Sequence, residues 1–546
     1  MAKPRHGKLR CTLDNYWVFC PGNMVDITQG IPLTDLSANI QQLLDTGQLF
    51  RGHCKFCCVY NACAQIQLRD CNLCHVSAHG HTSLVAPSLL KQHSKLSDPD
   101  RSIWDAAYCK EFHGLHDLPT WEVLSETEFR QLSNGVKALP SLAIATIKYD
   151  AFNRPEWAKY CIVVLGNHDY HSWPKESTAA PVLLQLELRL LTSLAISHKR
   201  VLKNCDIKQA FVQSSLPPDE HYFVKPPVGC PKSKPGTYWR LIRSLYGLCR
   251  APKLWFEKLS NHLKAMGLQN SPNSPCLFVG TLIPGEPPIY VGIYADDIIF
   301  FSPSDAVEKN FESLLSTLGN VDFMGQVSHF LGIEFTWKTL PDGHLCISLT
   351  QQSFIDTLMD NMGITTDSMS SFSTPYRSGY PIDSIPFVDM SSGDRDSLRL
   401  KYQSLVGSLN WLAHTMRPDL SMVVSLLAQH QSLPSLGHFE AAVYVAKYLA
   451  TTKTLGIYFT SARESTLQSF LHFPLQQPLV SMSDANWGPQ DASLSSCTSE
   501  LPLFVSRSMS AFFIDLFGPL HWASKCQHVT AASSAEAEIY ATDECV

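Results

Sequence analysis

Residues 289–302 read IYVGIYADDIIFFS, an almost unbroken apolar run interrupted at its centre by Asp296 and Asp297. That pattern predicts a buried β-hairpin with two acids at its bend. An ordinary polar turn is the alternative, since Asp is common in turns. Ionised carboxylates inside an apolar hairpin are costly unless something compensates them, and a bound cation is a frequent answer. Ninety residues earlier, VLKNCD (201–206) ends on a third acid, Asp206. If Asp206 lies on a strand beside the hairpin, Asp206, Asp296 and Asp297 converge. Such a cluster could hold two Mg²⁺ ions and serve in-line phosphoryl transfer.

The surrounding composition fits an acidic but locally basic chain. The whole carries a net charge of -6, yet residues 199–265 hold 13 Lys or Arg against 4 Asp or Glu. Phe211, Tyr222, Phe223, Tyr238, Trp239, Tyr246, Trp255 and Phe256 are interleaved with those cations. Basic charge among aromatic faces suits phosphates and stacked bases, and a solvated basic surface beside core aromatics is the plainer alternative. At 546 residues the chain should form about three to five domains. No run of 18 or more apolar residues exists, so no membrane-spanning helix is expected. The basic start, Met1–Arg10, is followed by no apolar core, so no secretory signal is expected. The 18 scattered cysteines suit reduced, intracellular thiols.

Outward from the hairpin, Trp104, Tyr108, Phe112 and Leu115 recur at helical spacing. Strands are expected within 139–165, a Leu-rich helix over 181–197 and another over 252–266. A helix over 306–318 follows the hairpin, then a strand pair turning at Pro341–Asp342–Gly343. Residues 366–393 are rich in Ser, Thr, Pro and Asp and read as a linker or surface loop. Helices are expected over 400–430 and 436–452, a last segment begins near Pro478, and no internal repeat is visible.

Several short boxes resemble those of copia-type retrotransposon reverse transcriptases. Tyr294-Ala295-Asp296-Asp297 resembles the Tyr-x-Asp-Asp box. Cys205-Asp206-Ile207-Lys208-Gln209-Ala210-Phe211 resembles Asp-Val-Lys-x-Ala-Phe. Ser244-Leu245-Tyr246-Gly247-Leu248 with Ala251-Pro252 resembles SLYGLKQAP. Phe330-Leu331-Gly332-Ile333-Glu334 resembles FLGxE, and Thr415-Met416-Arg417-Pro418-Asp419-Leu420 resembles the later TRPD box. The resemblance spans about residues 102–546.

It implies an α+β right-hand polymerase of palm, fingers and thumb, followed by a partial ribonuclease H-like α/β domain. It implies Asp206, Asp296 and Asp297 as Mg²⁺ ligands, joined by the Ile207 carbonyl. Phe211 would lie under the incoming sugar and exclude a 2′-hydroxyl, with Ala210 leaving room for the nucleotide. Tyr246 and Gly247 would pack near base and template, and Lys159 belongs to the fingers. The implied partners are an RNA template, a DNA primer, their RNA–DNA hybrid and dNTPs, with the element's integrase and capsid protein as further associates. The implied location is a cytoplasmic particle, with nuclear entry.

The boxes are broken in places. In the fingers box KARLV the Arg is replaced here by Cys161, and a thiol cannot stand in for guanidinium. Lys-Gln of SLYGLKQAP becomes Cys249-Arg250, and Ala295 replaces the commoner Val. Arg250 keeps a charge shifted by one residue and the Ala295 change should be mild, whereas Arg-to-Cys at Cys161 predicts a decaying copy with damaged fingers. Near the end, Ser483-Asp484-Ala485-Asn486-Trp487 and Ser533-Ser534-Ala535-Glu536-Ala537-Glu538 resemble ribonuclease H boxes. Asp484 and Glu538 would be its first two ligands, and the sequence stops before the family's next acid. A ribonuclease H part without activity, with an open sheet edge, is therefore expected.

Cys54, Cys57, Cys71 and Cys74 form two Cys-x2-Cys pairs that could bind Zn²⁺, against the alternative of a Cys-rich stretch without metal. The expected division is 1–100 Cys/His-containing region, 101–360 fingers and palm, 361–470 linker and thumb or connection helices, and 476–546 ribonuclease H-like. Three functions remain at this point. They are an RNA-directed DNA polymerase, an impaired remnant that only binds nucleic acid, and a metal-binding module at residues 50–81.

Overall fold

The computed structural model describes residues 86–87, 90–93, 95–96, 100–149, 155–230, 233–364, 372–377, 380, 382, 391–462, 479–486 and 508–545. Two compact units account for them. One comprises the described residues up to Leu183 together with Leu202–Val327; the other takes Leu184–Val201 and the described residues from Ser328 onward.

The first unit begins with the helix Asp100–Asp117, which buries Trp104, Tyr108, Phe112 and Leu115. These positions fall on one face at a period near 3.6. Trp104 and Tyr108 each meet the Tyr160 ring edge-on, with centroids 5.5 Å apart. Tyr160 lies on the strand Pro155–Val164, which pairs antiparallel with Ser141–Tyr149. Further along, Phe112 packs on Trp121, which stacks on Trp239 at 4.2 Å. This aromatic core anchors the long hairpin 141–164.

A six-stranded antiparallel sheet forms the rest of the unit. Its spatial order is Val321–Gln326, Lys203–Ile207, Asp297–Phe301, Ile289–Tyr294, Ser274–Gly280 and Gln269–Ser271. Ile298, Ile299, Phe300 and Phe301 are all buried. Successive side chains point to opposite faces, so this strand is covered on both sides. The helices Ala251–Ala265 and Asp305–Leu315 belong to the same unit. Pro252 opens the first helix, where a missing N–H costs nothing. Ser304 caps the second by accepting from the Val307 amide.

In the second unit the strands His329–Phe330, Ile333–Thr339, Leu345–Thr350 and Ile457–Thr460 form one sheet. A second sheet is built from Leu479–Asn486, Met509–Leu516 and Pro519–Cys526. The Leu-rich helix starts at Gln185 rather than Pro181, because Glu187 turns back to accept the Leu184 amide at 2.7 Å. The helical stretch 400–430 is two helices, Ser392–Thr415 and Ser421–Gln429. Pro418 supplies no amide to continue the first. Arg417, almost fully buried, fills the break with two hydrogen bonds to Asp419, at 2.9 and 2.7 Å. It also donates to the Thr452 carbonyl, and Tyr448 donates to Asp419. The TRPD box is therefore an internal brace. No helix among the described residues is long and apolar enough to cross a membrane.

Candidate active site

The hairpin 289–301 turns at Ala295–Asp296, with Tyr294 paired to Asp297. Ala295 takes a positive φ of 54°, which is unusual for a residue with a Cβ. Two hydrogen bonds fix the turn from outside. Trp255 Nε1 donates to the Ala295 carbonyl at 2.8 Å, and the Ile207 amide donates to the Asp296 carbonyl at 3.2 Å.

The strand register does the rest. Asp297 lies directly opposite Asp206, and on the other side Asp206 lies opposite Asp322. Three acids thus form a row across three adjacent strands, with Asp296 beside the row at the turn. Asp322 was not singled out by the boxes. Its visible signal is an acid on a strand of alternating burial, Val321–Gln326, and it is neutralised by Lys208 at 2.7 Å.

Like charges accumulate at the other acids. Burial, then Asp296 and then Asp206, push the Asp297 carboxyl up to about 6. Burial and Asp296 likewise raise Asp206, while Lys159 and Lys148 pull it back down. Desolvated carboxylates held side by side with too little positive charge are a donor set for a hard divalent cation. The donors fit such an ion, although no group of three His, Cys, Asp or Glu among the described residues already closes around one point.

Lys148 and Lys159 come from the two strands of the 141–164 hairpin, whose register sets Cys161 opposite Ile144. Glu111, on the first helix, accepts the Ile162 amide at 3.4 Å. Burial, then Glu111, push the Cys161 thiol up to about 12, so the position carries no charge at neutral pH. Burial also raises Glu111, while the Ile162 amide and then Lys159 pull it back down.

Beside the acids, Gln209 takes a left-handed φ of 53° and opens the turn Ala210–Gln213. Ala210 is buried. The Phe211 ring is met edge-on by Tyr246 at 5.5 Å. The Tyr246 carbonyl accepts the Val164 amide at 2.7 Å. Gly247 follows at φ 91°, where a Cβ would stand 1.9 Å from the Val164 carbonyl oxygen. Only glycine fits there, so Tyr246 and Gly247 stitch the 141–164 hairpin to the sheet beside Phe211. Arg250 is not free to replace the missing lysine charge. It pairs with Glu220, and its guanidinium covers the Trp173 ring at 4.7 Å.

In the second unit Asp484 sits opposite Ala511 on a strand that is outermost among the described residues and is exposed, as is Glu538 on the helix Ser534–Cys545. Strand and helix touch through Ser483 and Thr542, 3.1 Å apart. Cys54, Cys57, Cys71 and Cys74 lie outside the described residues.

A family model described as reverse transcriptase (RNA-dependent DNA polymerase) matches residues 125–376. The retrovirus-related Pol polyprotein from transposon RE1 of Arabidopsis thaliana is 28% identical over 396 residues, covering 72% of this chain and 24% of that protein. The corresponding RE2 polyprotein is 28% identical over 459 residues, covering 84% and 28%. The putative transposon Ty5-1 protein of Saccharomyces cerevisiae is 31% identical over 263 residues, 48% of this chain and 80% of its own length. Among solved structures, a foamy viral protease–reverse transcriptase bound to double-stranded DNA aligns with a TM-score of 0.39 at 13% identity, over 77% of this chain and 56% of its own.

The chain belongs to the reverse transcriptases, in the branch carried by copia-type retrotransposons. It spans about a quarter of the length of the RE1 and RE2 polyproteins.

Proposed function

We propose that this chain is an RNA-directed DNA polymerase that extends a DNA primer along an RNA template from dNTPs. The observation that carries this is the register of Asp206 against Asp297 with Asp296 at the adjoining turn. Asp206 and Asp297, with Asp296, would hold two Mg²⁺ ions, the Ile207 carbonyl joining them. Bound there, the ions would supply charge to the attacking and leaving oxygens. Phe211 and Tyr246 would border the sugar and base, and Lys159 with Lys148 would face the triphosphate. The division into fingers and palm (101–360), connection (361–470) and ribonuclease H-like segment (476–546) is part of this proposal. So are RNA–DNA hybrid binding, association with integrase and capsid protein, and a cytoplasmic particle with nuclear entry; for the N-terminal cysteines a stretch without metal is preferred to a Zn²⁺ site.

The test is primer extension on oligo(dT)–poly(rA) with Mg²⁺, comparing the chain with Asp296→Asn/Asp297→Asn. Extension that the double change abolishes is expected. If neither protein extends while both bind the hybrid, the polymerase reading falls. The second reading, an impaired remnant that binds nucleic acid, then takes its place. Cys161, where the fingers box has an arginine, favours that second reading. For Asp484 and Glu538 a ribonuclease H-like role without hybrid cleavage is proposed, supported by the exposure of both acids. Cleavage of an RNA–DNA hybrid that depends on Asp484 would overturn it.

A further inference from the structure

Five cations of the basic run 199–265 are spent on internal ion pairs. Lys203 meets Glu308, Lys208 meets Asp322, Arg240 meets Glu122, Arg250 meets Glu220 and Lys253 meets Glu257. Arg243 and Lys258 behave differently. Arg243 Nη1 donates to the Gln213 carbonyl at 3.1 Å, and Lys258 Nζ donates to the same oxygen at 2.5 Å. Neither meets a carboxylate among the described residues. Two cations therefore converge on one neutral acceptor, both only half-exposed. Burial and then Arg243 pull the Lys258 ammonium below its usual range, as like charges do when no anion separates them.

The arrangement is held by backbone rather than by chance side-chain placement. Arg243 bridges antiparallel to Ser215, and the next amide, Ser244, donates to the Ser214 carbonyl at 2.8 Å. Lys258 projects from the helix Ala251–Ala265, one turn past Trp255, which holds the Ala295 carbonyl. One backbone oxygen accepts one donor from each side chain, so the guanidinium and the ammonium keep further N–H groups for an anion. Geometrically this is a seat for a tetrahedral oxyanion with a planar fork on one side and a point charge on the other.

We infer that Arg243 and Lys258 form a phosphate-binding subsite for the backbone of a bound nucleic-acid strand. The inference rests on the polymerase reading for its ligand but not on catalysis. Gln213 closes the turn that begins at Ala210 and carries Phe211, and Arg243 directly precedes the Ser244–Gly247 box. A strand whose sugar and base lie near Phe211 and Tyr246 carries phosphates to either side of them. The free triphosphate of a nucleotide offers the same chemistry and is the competing source.

The test is fluorescence-anisotropy binding of a dideoxy-terminated RNA–DNA hybrid across a KCl series, with the full chain, Arg243→Gln, Lys258→Gln, the double variant and the charge-keeping Arg243→Lys. Each Gln variant should bind roughly tenfold more weakly, and the slope of log affinity against log salt should fall by about 0.9, one phosphate's worth. Because both cations hold one phosphate, the double variant should lose no more slope than either single. Arg243→Lys should keep most of the slope. An unchanged slope in all variants, with lowered melting temperatures, would make the pair a mere brace of the Gln213 turn and overturn the inference. Unchanged hybrid affinity with a raised KM for dNTP would assign the pair to the nucleotide and overturn it too. A parent chain that binds the hybrid but does not extend it would sink the polymerase reading while leaving this subsite standing.

Discussion

Two regions of this molecule place acids on strands, with different results. In the first unit Asp206 and Asp297 face each other from inner strands of a six-stranded sheet, and Asp322 extends the row. In the second unit Asp484 stands, among the described residues, on the outer strand of a three-stranded sheet, exposed, opposite an alanine. Asp206 and Asp297 are desolvated, whereas Asp322 at the end of the row is exposed and paired with Lys208; burial and the neighbouring acids drive Asp297 up to about 6. Burial in register, rather than the presence of acids, is what makes a carboxylate cluster want a cation.

The largest expected effect separates the two regions directly. Asp296→Asn/Asp297→Asn should lower primer extension by about 10³-fold or more, several kcal/mol of transition-state stabilisation. Asp484→Asn/Glu538→Gln should leave extension unchanged in the same assay. Equal losses in both would erase the contrast. A smaller effect tests the fingers. Cys161→Arg restores a guanidinium beside Glu111 and the triphosphate side of the site, and should lower the KM for dNTP by about tenfold, read by steady-state extension. An unchanged KM would show that the thiol is tolerated and would remove the case for an impaired copy.

Glu111 gives a pH signature for the same spot. Burial raises its carboxyl in the folded chain, so the folded state holds the proton more tightly than the unfolded state. Its contribution to stability is present below about pH 4.3, the ordinary Glu value, and is lost as pH climbs through the raised value. The melting temperature should therefore carry a downward component over that window, and Glu111→Gln should flatten it. A melting profile identical in the two proteins would show that the proton is not held. The smallest effect concerns the turn. Trp255→Phe deletes the donor to the Ala295 carbonyl and should cost about 1 kcal/mol in denaturant unfolding, with extension reduced a few-fold. Full activity would mean that the Asp206–Asp297 pairing alone positions Asp296.

Much of the first unit was legible because its signals are local. The face Trp104–Tyr108–Phe112–Leu115, the hairpin 289–301 and the acids at its bend follow from side-chain period alone. Asp322 was not legible, since its importance lies in a cross-strand register that no local pattern encodes. The purpose of Arg417 was equally hidden. A box shared with relatives reads as functional, yet this arginine is buried against Asp419, Tyr448 and Thr452 and holds a helix break. Arg250 keeps a positive charge one residue from the family's lysine, and that charge is consumed by Glu220. In each case the missing information was which distant residue stands opposite.

The helix Gln185–Ser197 lies in sequence between strands of the first unit but belongs to the second. Its buried Arg189 donates to the carbonyls of His414 and Thr415, 225 and 226 residues further along, and stacks over Trp522 at 4.0 Å. On a ribosome those acceptors emerge roughly 10–45 s after the arginine does, at ordinary elongation rates. Throughout that interval Arg189 lacks the partners it has in the folded chain. A single cut in the sequence therefore cannot separate the two units, since Leu184–Val201 interrupts the first and Leu202–Val327 interrupts the second.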